Sequence, residues 1–96
     1  MDVAEEVRTI VMAIPTGCVA TYGEIARTLG IGPRQAGRAV SLLEGDVPWW
    51  RVVHADGATA TCHEGAARAL LELEGAPFHD DRVDMAKVRA AGTHRR

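Results

Sequence analysis

Ninety-six residues with 47% apolar and 25% charged side chains suffice for one domain around one hydrophobic core and are too few for two. No apolar run approaches the ~20 residues of a membrane span, and no basic-then-apolar leader opens the chain. We therefore expect a cytoplasmic monomer with no membrane partner. Cys18 and Cys62 are the only cysteines, too few and too far apart for a disulfide framework. A net charge of −2 excludes a strongly basic polyanion binder. The charge is segregated, however. Between Tyr22 and Leu43, Arg27, Arg34 and Arg38 face the single acid Glu24, while acids gather in the first helix and from Glu64 to Glu74. Any nucleic-acid affinity should be modest and local.

The first element is an amphipathic helix from Asp2 to about Ile14, with Val3, Val7, Ile10, Val11 and Ile14 on one stripe. Asp2 and Glu5 have the spacing of a capping box, and Pro15 with Thr16-Gly17 ends the run. Cys18-Val19-Ala20 is a short apolar link. Thr21-Tyr22-Gly23-Glu24 is a second capping box, opening a helix to about Leu29. Tyr22 then falls in the first turn, where free backbone N–H groups attract anions. Gly30-Ile31-Gly32 breaks that helix, and Pro33 starts another at the favoured first position. On this helix, which runs to about Leu43, Ala36, Ala39, Val40 and Leu43 share one face. Arg34, Arg38 and Ser41 share the other, with Gln35 at its edge and Gly37 thinning one flank. Two short helices across a tight glycine turn read as a helix-turn-helix. Its second helix is either a reader of DNA or a solvated Arg-bearing face; the small residues favour DNA because they let a backbone approach a groove.

An acidic link, Leu42 to Val47, leads to Pro48-Trp49-Trp50-Arg51-Val52-Val53. Adjacent tryptophans are a large aromatic investment in a chain with one Tyr and one Phe. They are either core packing or the wall of a pocket for a flat ligand. Val52-Val53-His54 and Ala58-Thr59-Ala60 flank Asp56-Gly57, which predicts a β-hairpin. His54, Cys62 and His63 match no metal-site spacing, so no metal or cofactor is expected. A helix follows from Gly65 to about Leu73, with Ala67, Leu70 and Leu71 buried. Glu74-Gly75 closes it; an acid at this end opposes the helix dipole, so Glu74 is either an ordinary exposed acid or one held by a specific partner, such as an N–H. Residues 77–81 read as a loop, and Asp84 caps a last short helix to about Ala90. The fold class is mainly α with a small β-hairpin: a single domain, residues 1–90, of winged helix-turn-helix-like architecture, followed by a basic tail, residues 91–96.

The order of these pieces resembles the C-terminal, DNA-binding half of the O6-alkylguanine-DNA alkyltransferases over about residues 3–85. The resemblance rests on Ile14-Pro15-x-Gly17-x-Val19-x-Thr21-Tyr22-Gly23-x-Ile25-Ala26, then on Arg38-Ala39-Val40 and Pro48-x-x-Arg51-Val52-Val53. Leu70-Leu71, Glu74-Gly75 and Arg82-Val83-Asp84 complete it. In that family a helix enters the minor groove, an arginine finger fills the gap in the base stack, and a tyrosine presses on the phosphate to rotate the nucleotide out. The resemblance assigns the finger to Arg38 and the tyrosine to Tyr22, with Arg34, Gln35 and Ser41 on the same DNA-facing surface. The family's nucleophilic Cys corresponds to Trp49 and its His to Trp50; of the relay only Glu74 remains. An indole cannot accept an alkyl group as a thiolate does or relay a proton. Trp in place of the nucleophile is the mark of the alkyltransferase-like proteins, which usually keep the His. The resemblance thus implies a non-enzymatic sensor of O6-alkylguanine in double-stranded DNA, with Trp49, Trp50 and Glu74 around the lesion and nucleotide excision repair proteins as partners. Competing readings are an active alkyltransferase with Cys62 as displaced nucleophile, a winged-helix transcription regulator, and a bare protein-interaction module.

Overall fold

Thr21 does two jobs that fix the architecture. Its backbone ends a two-residue strand, β1 (Ala20–Thr21), and its side chain caps the helix that follows, α2 (Tyr22–Leu29). Thr21 Oγ1 accepts the Glu24 N–H at 3.0 Å, and Glu24 Oε1 accepts the Thr21 N–H at 2.9 Å. The capping box predicted from the sequence is therefore complete, and it locks the helix axis to the strand. Gly30, with φ of 70°, closes α2 in the left-handed conformation, and Ile31 N–H returns to Ala26 O at 2.9 Å, the hydrogen-bond pattern of a Schellman turn. Pro33 then opens α3 (Pro33–Ser41). After α3 the chain runs to β2 (Val52–Val53), which pairs in parallel with β1, Ala20 opposite Val52 and Thr21 opposite Val53. The helix-turn-helix is thus the crossover of a minimal parallel β unit.

The computed structural model describes residues 2–88. α1 (Val3–Met12) is capped from one side only, Asp2 accepting the Ala4 N–H at 3.1 Å. It lays Val7 and Val11 into a core with Ile25, Ala36, Val40, Val47, Trp49 and Val52. A second, smaller cluster joins Val53, Leu71, Ala76, Val83 and Val88, with Trp50 packed against both. α4 (Ala67–Leu73) supplies Leu71. It is preceded by a short 3-10 turn at His63–Gly65 in which His63 and Glu64 both adopt positive φ, 55° and 62°. Residues 85–88 are helical, with Asp84 accepting the Lys87 N–H at 3.1 Å. The expected extension to Ala90 and the basic tail 91–96 lie outside the described residues.

The sheets differ from expectation in three places. The Cys18-Val19-Ala20 link ends in β1, a strand too short to show a period. The predicted hairpin around Asp56-Gly57 shrinks to a turn with one antiparallel bridge, Val53 to Thr59. The regular hairpin is instead β3 (Phe78–His79) with β4 (Arg82–Val83), where a loop was expected. Asp80 makes that turn at φ of 59°, a conformation Asp tolerates but does not advertise as Gly would. The two turns are joined: Val83 N–H donates to Gly57 O at 2.9 Å, and Arg82 pairs with Asp56 at 2.9 Å. A β-carbon on Gly57 would collide with Val83 O, and its φ is 90°. Gly57→Ala should therefore lower the unfolding free energy by about 2 kcal/mol or more. Urea denaturation followed by circular dichroism would show this as a lower midpoint at unchanged slope.

Candidate nucleic-acid interface

The periodicity of α3 decides which side chains are free. Ala36, Ala39 and Val40 are buried, and Leu43 follows them into the core. Arg34, Gln35, Arg38 and Ser41 are exposed. The Ser41 hydroxyl donates to Arg38 O at 2.7 Å. Among the described residues neither Arg34 nor Arg38 has a carboxylate partner. Two cations are thus presented unneutralised on one helical face, which is what a phosphate-lined groove requires.

Beside this face lies a cleft of about 490 Å³ lined by Tyr22, Pro33, Arg34, Gly37, Ser41, His54, Thr61 and Cys62. Its volume is in the range that encloses a small ligand. Capping by Thr21 sets Tyr22 at the mouth of α2, and its ring lies 4.8 Å from that of His54, tilted by 42°. Burial, reinforced by the nearby Cys62, pushes the Tyr22 phenol up to about 12. It is a neutral hydrogen-bond donor at every physiological pH. Burial also pushes the Cys62 thiol above its usual range, so the sulfur in this cleft is held in its weakly nucleophilic form.

Trp49, Trp50 and Glu74, placed around the lesion by the sequence resemblance, do not line this cleft. Trp49 is 7% exposed and belongs to the main core. Its ring stacks on His63 at 4.0 Å and 12°, and meets Trp50 edge-on at 5.7 Å. The strained His63 is held by this stack and by a 2.8 Å bond between Nε2 and Leu43 O. Because a carbonyl only accepts, Nε2 carries the proton; Nδ1 is buried without a partner among the described residues. Trp49 therefore backs the loop whose neighbouring residues, Thr61 and Cys62, form the cleft wall. The physical reason is apolar packing: the indole at the start of the Trp49–Arg51 turn shares the main core with Ala36, Ala39 and Val40 of α3.

Glu74 and Trp50 belong to a different construction. Glu74 forms a forked ion pair with Arg51, with Nη2 to Oε2 at 2.6 Å and Nε to Oε1 at 2.9 Å. The Trp50 indole N–H donates to Glu74 Oε2 at 2.9 Å, and Gly17 N–H reaches Oε1 at 3.4 Å. Arg51 also donates from Nη1 to Ile14 O at 2.7 Å and from Nη2 to Thr16 Oγ1 at 3.0 Å. The specific partner open to an acid at the end of α4 is thus present, and N–H groups are among those that meet it. The arginine, two residues beyond Trp49, was not assigned this role. Nor did the sequence single out His54, Thr61 and Cys62 as cleft residues. They sit on turns whose course is set by Gly57 and the left-handed His63, and turns carry no periodicity to read.

Burial tends to raise the Glu74 carboxyl, but hydrogen bonds from Arg51, Trp50 and Gly17 and the arginine charge outweigh it, and its net shift is downward. A depressed folded value contributes stability that is present above the ordinary carboxylate range and is lost as the pH falls through the folded value. Glu74→Gln should cost on the order of 3 kcal/mol at neutral pH, because it strands Arg51 with both side chains only 13% exposed. The gap between wild type and variant should narrow as the pH drops below the ordinary carboxylate range. Thermal melts at stepped pH would measure both; a gap independent of pH would count against the ion pair.

The fold agrees with that of known proteins. The sequence matches the family described as 6-O-methylguanine DNA methyltransferase, DNA binding domain, over residues 2–76. Alkyltransferase-like protein 1 of Schizosaccharomyces pombe is 38% identical over 86 residues, 81% of this chain and 80% of that protein. A DNA base-flipping protein of Thermus thermophilus is 40% identical over 73 residues, 69% of this chain and 48% of that protein. In three dimensions the chain superposes on S. pombe Atl1, solved in complex with damaged DNA containing O6-carboxymethylguanine. The TM-score is 0.78 at 32% identity, covering 92% of this chain and 94% of that one. The chain belongs to the DNA-binding-domain family of the 6-O-methylguanine DNA methyltransferases, and within it to the alkyltransferase-like proteins.

Proposed function

We propose that this chain recognises O6-alkylguanine in duplex DNA by rotating the damaged nucleotide out of the stack, and that it does not remove the alkyl group. The observation that carries this reading is the cleft itself. It opens directly beside the Arg34–Arg38 face of α3, with the neutral Tyr22 phenol in its wall. α3 lies in the minor groove. Arg38 fills the space the base vacates, Tyr22 holds the displaced phosphate, and the cleft receives the base. Flipping costs a few kcal/mol, less for a damaged base. Stacking on an aromatic such as the Tyr22 or His54 ring returns ~1–3 kcal/mol, and the cationic face supplies the sequence-independent remainder. The likeness to a protein solved on O6-carboxymethylguanine DNA and to a protein named for base flipping supports the same reading.

The absence of transfer follows from the residues at the chemical position. By resemblance Trp49 stands where the nucleophile would be, and it is shut against His63. Trp50 donates to Glu74 as the family's His would, but an indole has no second nitrogen to take up a proton. The chain would act as a cytoplasmic monomer, and the distorted, protein-marked lesion would be handed to nucleotide excision repair.

Arg38→Ala should weaken binding to an O6-methylguanine duplex about tenfold or more, leave the melting temperature unchanged, and reduce the salt dependence by about one phosphate contact. Fluorescence anisotropy at several salt concentrations measures all of this; equal affinity of variant and wild type would remove the finger.

One observation favours a second reading. Cys62 does line the cleft, as a displaced nucleophile would. Its raised thiol opposes that role. Intact-protein mass spectrometry after incubation with O6-methylguanine DNA should show no added methyl group. A stoichiometric mass gain located on Cys62 would replace the sensor with a transferase.

A further inference from the structure

Leu42 is 64% exposed, and its position leaves it no way into the core. Its backbone remains right-handed helical at φ of −95° and ψ of −2°; its N–H bonds to Ala39 O at 3.2 Å, and the next N–H, that of Leu43, to Val40 O at 3.1 Å. Its side chain therefore continues the helical wheel of α3. It lies four residues beyond Arg38 and eight beyond Arg34, on the same stripe. The buried position next to it is already taken by Leu43. On the opposite side of Arg38 lie Gly37 and Ser41, which line the cleft. Arg38 is thus flanked by the cleft on one side and by an apolar side chain on the other. The other exposed residues of α3 are Pro33, at its start, and the polar Arg34, Gln35, Arg38 and Ser41.

We propose that Leu42 is an apolar wedge that enters the minor groove beside Arg38, packing against the sugars and the opened base step on the side of the finger away from the cleft. The inference rests on the lesion-recognition reading above and adds a second inserting residue to it. The occupant is duplex DNA because the same stripe carries two cations with no carboxylate partner among the described residues. A protein partner for this leucine would have to bury those cations as well. Glu44 and Asp46, exposed just beyond Leu42, mark where a phosphate-facing surface must end. Physically, an apolar side chain that costs free energy in water recovers it when it displaces groove water, and a wedged step makes rotation of the adjacent nucleotide cheaper.

The test uses the full chain, Leu42→Ala and Leu42→Met, with O6-methylguanine and undamaged duplexes that carry 2-aminopurine beside the lesion position. Leu42→Ala should lose on the order of tenfold in affinity for the lesioned duplex and show a smaller 2-aminopurine increase. Its salt slope should be unchanged, because no phosphate contact is removed, and its melting temperature should be no lower. Leu42→Met should keep most of both signals. Unchanged affinity and unchanged 2-aminopurine emission in Leu42→Ala would overturn the wedge and leave lesion recognition standing. Wild-type protein indifferent to the lesion would overturn both.

Discussion

The forked contact between Arg51 and Glu74 holds three separated parts of the chain in one place. Arg51 leaves the Trp49–Arg51 turn, Glu74 ends α4, and Arg51 also donates to Ile14 and Thr16, where the chain leaves α1. A buried ion pair is weak evidence for net stability, since desolvation consumes much of the attraction. Its effect here is positional. With every arginine nitrogen bonded, β2 has one permitted place, and β1 must pair with it. Because Thr21 both ends β1 and caps α2, the orientation of the reading helices is inherited from that pairing.

The same contact is compatible with the sensor reading proposed above, in which the chain keeps its family's frame without alkyl transfer. Glu74 needs donors, and an indole N–H at Trp50 meets that need as an imidazole N–H does. The carboxylate is satisfied by an indole, which can donate a hydrogen bond but cannot take up a proton. Trp49 is a core residue that supports the left-handed loop at His63. That loop places Thr61 and Cys62 against α3. Backbone strain at His63 and Glu64 is of the kind that surrounding structure must over-determine, and the stacked indole supplies part of that constraint.

The recognition surface divides by chemistry. On one side of Arg38 the cleft combines two rings, Tyr22 and His54, with hydroxyl and thiol groups; on the other stands the exposed Leu42. Such a face suits a duplex in which one nucleotide is withdrawn and the neighbouring step is opened.

Much of this was legible in the residues themselves, because it depends on local rules. Thr21 with Glu24, Gly30 and Pro33 specify where α2 and α3 start and stop, and the spacing of Ala36, Ala39, Val40 and Leu43 specifies which face is buried. Those two facts alone present Arg34 and Arg38 to solvent, and the motif around Tyr22, Arg38 and Arg51 is enough to identify the family. What sequence could not decide depends on groups brought together from far apart. Whether Trp49 faces a ligand or the core turns on the space left by α3 and on His63, a residue whose positive φ no propensity would suggest. Glu74 meets Arg51 and Trp50 only once α4 has docked. The hairpin moved from Gly57 to Asp80 because the Gly57 turn is held against Val83. The cleft is made of turns, and turns take their course from what they pack against.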